Sequence, residues 1–213
     1  MHIIDNYADL SIGKYIDILN AVTDGDADDL DKQVATLAIL ADVTEDDILA
    51  LPLSEYADLV ARASFLAAED KGKHAVAKSY KLAGLELIPA ADAAELTAGQ
   101  FIDFQTLTSD GALEPRLPEI LSCLLVPRGK SYGKGYDIAD VQDAVRNHLS
   151  VTDALSLLAF FLASSEKLLL RFLTSSERAA AKMKDRTAKT MIVEKIRQTR
   201  ATLLRAAGAG SQQ

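Results

Sequence analysis

A single cysteine, Cys123, in 213 residues excludes an intramolecular disulfide framework and suits a reducing compartment. Only three histidines are present, His2, His74 and His148, and they share no ligand spacing with each other or with Cys123, so no metal site is expected. Cys123 itself sits in an apolar stretch and reads as a small core residue. The chain has no Gly-x-Ser-x-Gly sequence and no histidine placed beside a serine or cysteine. Nucleophilic catalysis therefore finds no support. Long apolar runs are missing as well: Ala154–Ala163, with a serine inside it, is far too short to cross a bilayer. The start, Met1–Asn6, has neither a basic region nor an apolar stretch of signal-peptide length. These absences lead one to expect a soluble chain that stays in the cytoplasm, with no enzymatic activity, cofactor or metal.

What is present is apolar mass and unevenly placed charge. Hydrophobic residues make up 49%, enough for a sizeable core, and the length suits one domain or two small ones sharing a core. The net charge of −8 conceals an asymmetry. Residues 166–213 carry 11 Lys/Arg against 4 Asp/Glu, whereas residues 1–165 carry 12 against 27. An acidic body with a basic end attracts itself, a second copy or an acidic partner; the plainer reading is an acidic solubilising surface and one solvated basic helix.

Helical periodicity dominates. Ser11 is placed to cap a helix with Ile12, Tyr15, Ile16 and Leu19 on one face. After the turn Asp24-Gly25-Asp26, a second helix has Leu30, Val34, Leu37 and Leu40 as its apolar set. Thr44 with Asp47 forms a capping-box pattern opening a short helix that Pro52 ends, and Ser54 is expected to cap the next. Ser79–Leu82 and Leu85–Ile88 alternate around Ala83-Gly84 as a β-hairpin, which is marginal alone and needs helices or another chain to lie on. Helices resume at Thr97, again over Leu117–Leu125 up to Pro127, after Asp137, and after Thr152; a basic helical stretch follows Ser165. The expected fold is mainly α: two duplicated helical units, a short β-hairpin between them, and a basic C-terminal helix. The corresponding segments are 1–74 for the first repeat, 75–95 for the hairpin connector, 96–174 for the second repeat with an inserted loop at 127–136, and 175–213 for the basic helix and its end.

The duplication rests on Leu10-Ser11-Ile12-Gly13-Lys14-Tyr15-Ile16-Asp17 against Leu96-Thr97-Ala98-Gly99-Gln100-Phe101-Ile102-Asp103. Both read leucine, hydroxyl cap, small or apolar residue, glycine, polar residue, aromatic, isoleucine, aspartate. Each is followed by an acidic glycine turn and an apolar helix, and each unit closes on a Phe-Leu-Ala sequence, at 65–67 or 161–163. Two such units each lack a complete core and bury their faces on one another or on a partner. The glycine inside the first helical turn lowers helix propensity, which a close backbone approach would explain. Asp17 and Asp103, at equivalent places, read as polar-face residues of amphipathic helices.

Gly129-Lys130-Ser131 invites a phosphate-loop reading, but the earlier glycine of that motif would fall at Leu124, inside an apolar helix. Two readings of residues 127–136 stay open. One is a plain surface loop. The other is a loop whose Arg128, Lys130, Tyr132, Lys134 and Tyr136 contact a partner protein or a nucleic-acid backbone, ordered by that partner and mobile without it. A second candidate set is Arg178, Lys182, Arg186 and Arg197 in the basic segment. Residues 176–207 have Ala179, Met183, Met191, Ile192, Ile196, Leu203 and Leu204 as a sparse apolar stripe, which points to a docking helix held by one face and steered by charge.

Leu96–Gln105, Pro127–Tyr132, Tyr136-Asp137 and Phe160-Phe161-Leu162 together resemble small helical proteins of tailed bacteriophages, specifically virion-morphogenesis proteins of the tail-assembly-chaperone-like kind. The resemblance spans roughly residues 10–165 and leaves out the basic segment after Ser176. It implies a non-enzymatic protein that binds other phage structural proteins during assembly or within the particle, in the host cytoplasm or the virion, and it carries over no catalytic residues. A head–tail connector or neck component is the nearest alternative. Self-association fits the charge asymmetry. Nucleic acid is disfavoured by the acidic body and by the lack of aromatic residues after Phe172, and the basic C-terminal helix is its one route.

Overall fold

The computed structural model describes residues 1–68, 75–90, 95–109 and 113–164. The chain divides into a compact unit of residues 1–91 with 95–159, and a second of 92–94 with 160–213. In the second, residues 160–164 are described, and they are helical. Arg178, Lys182, Arg186 and Arg197, and with them the expected basic helix, lie outside the described residues.

The described chain is mainly helical. Helix α1 spans Ile12–Thr23, and the Ser11 hydroxyl accepts the Lys14 N–H at 3.4 Å as expected of an N-cap. Helix α2, Asp29–Ala41, is capped by Asp28, whose carboxylate accepts from the N–H groups of Leu30 and Asp31. The Thr44–Asp47 capping box opens α3, Glu45–Leu49, with both reciprocal bonds formed. The Thr44 hydroxyl and its backbone N–H hold the Asp47 carboxyl below the ordinary carboxylate range. Helix α4, Leu53–Ala63, begins one residue before Ser54. Pro52 occupies its N-cap, and Ser54 lies in the first turn in place of the cap expected of it.

Helices α1, α2, α3 and α4 close around Leu10, Ile18, Val34, Leu37, Leu40, Ile48 and Leu59. Leu30 is the exception among the expected face residues of α1 and α2: the first turn of α2 is exposed, and Leu30 with it. The N-terminal segment lies over this core, pinned by Ile4 N–H to the Leu40 carbonyl, by Tyr7 against Phe65, and by Arg62 to the Ile3 carbonyl.

The hairpin forms as expected, with β1 Tyr80–Leu82 and β2 Leu85–Pro89 joined by Ala83-Gly84, both at positive φ. Two positive φ values make a turn whose twist matches that of paired strands. The expected helix over Leu117–Leu125 is shorter: α6 spans Leu117–Leu124, and Leu125–Pro127 leave it as strand β3 beside β2. Pro127 explains the switch, because the residue before a proline is driven out of the α region. The third strand and helix α7, Ile138–His148, give the hairpin its support. Pro127 carries no N–H, so the outer edge of β3 lacks a donor that another strand could pair with.

Helix α5, Ala98–Ser109, packs on α6, and α6 on α7. Thr97 and Gln100 cap α5 reciprocally. Asp137 caps α7 through the Ala139 N–H. The last helix of this unit, α8, covers residues 151–159, and Ser150 supplies the hydroxyl at its start, a role expected of Thr152.

The two ends of the unit interlock. Ile12 N–H bonds the Leu149 carbonyl at 3.1 Å, and Val151 N–H bonds the Leu10 carbonyl at 2.8 Å. Val151 shares the core of the first four helices. Gly13 touches α7: a Cβ there would lie 3.0 Å from the Arg146 carbonyl oxygen. That is the close backbone approach expected of a glycine at this point. Gly99, its counterpart, shows none, with the Thr97 hydroxyl the nearest atom at 4.0 Å.

Candidate partner-binding surface

The stretch after β3 is a chain of tight turns. Lys130 N–H bonds the Pro127 carbonyl at 3.0 Å, and Lys134 N–H bonds the Ser131 carbonyl at 2.9 Å. Gly129 and Gly133 take positive φ in these turns, a conformation costly for any residue with a Cβ. Helix α7 begins at Ile138, so no helix N-terminus follows Gly129-Lys130-Ser131 directly, and the phosphate-loop geometry is not formed.

Internal ties take up much of the basic and aromatic set. The Arg128 guanidinium grips the Glu86 carboxylate with Nη2 to Oε1 at 2.6 Å and Nε to Oε2 at 2.5 Å, while Arg128 N–H bonds the Glu86 carbonyl. The two-pronged contact clamps the start of the loop to β2. Tyr132 OH donates to Asp103 Oδ2 at 2.9 Å and lies 3.5 Å from Cys123 Sγ. Burial pushes the Tyr132 phenol well above its usual range, and the neighbouring thiol and carboxylate add to the rise. Burial likewise raises the Cys123 thiol, which donates to the Glu119 carbonyl. That environment disfavours the reactive thiolate and agrees with a core role for this cysteine. Tyr136 OH accepts from the Gly133 N–H, and burial raises its phenol too.

Of the five loop residues singled out in the sequence, Arg128, Tyr132 and Tyr136 are thus engaged by the chain itself. Lys130 lies along Gly135, its Cδ 3.3 Å from where a Cβ would be, and Lys134 is exposed. These contacts tie the loop to β2 through Glu86 and to α5 through Asp103. Asp103 and Asp17, equivalent in sequence, have comparable work: Asp17 meets Arg146 at 3.0 Å and Asp103 meets Tyr132.

This gives a test of the division within the loop. Lys130→Glu with Lys134→Glu is expected to leave stability within about 0.5 kcal/mol, as exposed substitutions do. Tyr132→Phe is expected to cost roughly 0.5–1.5 kcal/mol through the lost hydrogen bond. Thermal unfolding followed by circular dichroism reads both, and equal losses would show the lysines to be structural as well.

A second surface was not legible in the sequence. Between α3 and α4, Leu49, Ala50, Pro52 and Leu53 are all exposed, Leu49 at 64% and Leu53 at 82%. Only the intervening Leu51 turns inward. A periodicity reading places leucines in a core by default, and five consecutive apolar residues around a tight turn cannot all point inward. A groove of about 360 Å³ lies between α1, α2 and α4, lined by Val22, Lys32, Thr36, Leu37, Val60 and Leu66 among others.

Among the described residues, no group of three or more His, Cys, Asp or Glu could hold a metal ion, and no helix is long and apolar enough to cross a membrane. No protein-family model, no curated protein and no solved structure matches this chain.

Proposed function

We propose that this chain is a non-enzymatic bacteriophage assembly or virion structural protein, tail-assembly-chaperone-like, that binds other phage proteins through its helical faces. The observation that carries the reading is the α3–α4 corner, where Leu49 and Leu53 face solvent on an otherwise acidic surface. Large apolar side chains held outward together mark protein contact surfaces. The resemblance of residues 96–105 and 127–137 to phage morphogenesis proteins supplies the partner class, and the host cytoplasm is the setting it entails.

The finer architecture in this proposal is a duplication. Ser11 with α1 and Thr97 with α5 begin the two units with hydroxyl caps at equivalent positions. In each, the following helix packs back on the first, α2 on α1 and α6 on α5. The glycines have diverged in use, Gly13 at a helix contact and Gly99 in open space. The basic segment 176–207 acts, in the same proposal, as a docking segment for a second copy or a partner.

The experiment is a solution mass. The full chain is mixed in turn with the purified products of the genes on either side of its own, and each mixture is followed by light scattering. A complex with one of them is expected, a tape-measure product indicating a chaperone and a portal product a neck component. Separate masses in every mixture would contradict the proposal.

A further inference from the structure

The described residues include a surface whose chemistry is the complement of the basic segment. From Thr44 to Ala61 the chain holds five carboxylates, Glu45, Asp46, Asp47, Glu55 and Asp58, and no lysine or arginine. Asp47 is held in the capping box, while the other four residues are exposed and enter no ion pair among the described residues. Between these carboxylates sits the exposed apolar corner of Leu49, Ala50, Pro52 and Leu53. Ala57 and Ala61 continue it along α4 at the four-residue spacing that keeps one helix face, and both are exposed. The result is an apolar lane with small side chains, bounded by negative charge. The groove lined by Val22, Thr36 and Val60 fits less well, because its lining has Lys32 and no carboxylate.

We propose that this α3–α4 lane is the docking site for residues 176–207 of a second copy of the chain. This rests on the docking role given above to that segment. Two arguments select the occupant. The segment carries nine Lys/Arg against three Asp/Glu, the complement of the lane, and its apolar stripe supplies side chains for Leu49 and Leu53 to cover. Length then favours a second copy. A helix of these 32 residues would run about 48 Å, whereas the 11 residues of α4 run about 17 Å, so one lane covers roughly a third of it and the remainder is free to bridge between bodies. Each copy then brings one acceptor and one donor, a head-to-tail contact that builds larger assemblies.

The full chain, followed by light scattering over a range of concentrations, tests this. Self-association is expected, weakening as salt screens exposed charge. Leu53→Glu is expected to raise the dissociation constant at least about tenfold, as loss of an interface anchor does, with no fall in melting temperature because the side chain is exposed. Glu55→Lys with Asp58→Lys is expected to do the same, and adding Arg178→Glu, Lys182→Glu, Arg186→Glu and Arg197→Glu to that variant to restore association. If reversing the four basic residues alone abolishes association and Leu53→Glu leaves it intact, the lane is wrong and the docking segment stands. If neither change matters, or the chain is a monomer throughout, the docking role of the segment falls with the lane.

Discussion

Gly13→Val is expected to lower the melting temperature by roughly 2–12 °C, while Gly99→Ala raises it by about 1–4 °C. The two glycines hold equivalent positions in the sequence, so helix propensity alone would have both substitutions stabilise, by about 0.5–1 kcal/mol for alanine. Packing separates them. A Cβ at Gly13 would stand 3.0 Å from the Arg146 carbonyl oxygen and 3.1 Å from Arg146 Cγ, and the two further methyl carbons of valine have to displace α7 from α1. Overpacking of this kind costs typically about 1–3 kcal/mol, or 2–4 °C each in a chain of this size. At Gly99 a Cβ meets only the Thr97 hydroxyl at 4.0 Å, so the gain in helix propensity goes unopposed. Thermal scans by circular dichroism measure both. Equal responses at the two sites would mean that α1 and α7 do not approach so closely.

Leu10→Ala is expected to cost about 2–5 kcal/mol, the range for a leucine removed from a packed core. Leu10 is fully buried among Ile18, Leu37, Leu40 and Val151, and its carbonyl accepts the Val151 N–H. The location of the loss matters more than its size. Because Val151 and the Leu149 carbonyl join the first four helices to the end of α7, the substitution is expected to loosen both halves together. Hydrogen exchange is the measurement: amides of Leu37 and Leu40 in α2 and of Leu121 and Val145 in α6 and α7 should lose protection by similar factors. A loss confined to α1–α4 would show two independent units.

Local signals explain which parts of the fold were legible. Caps at Ser11, Thr44, Thr97 and Asp137 were readable because a hydroxyl or carboxylate satisfies nearby N–H groups whatever the tertiary setting. The Ala83-Gly84 turn was readable for a similar reason, since only a few residue types accept positive φ. Strand β3 was missed because its apolar residues continue the helical pattern of α6, and its pairing partner, β2, lies 36 or more residues earlier in the chain. The cap of α8 was assigned two residues late because Ser150 and Thr152 are chemically alike. Of the candidate residues, the loop was found by its glycines, but the engagement of Arg128 by Glu86 and of Tyr132 by Asp103 depends on tertiary contacts 42 and 29 residues apart. The α3–α4 corner was invisible for the opposite reason: nothing in a leucine's identity says that it stays outside.

The proposed role in phage assembly is tested most directly by electron microscopy of lysates from a phage that carries this gene with an early stop codon. The account predicts particles halted at one intermediate, such as heads without tails, with infectious particles restored when the wild-type chain is supplied in trans and restored poorly by Leu53→Glu. Complete particles at normal titre without the gene product would contradict it.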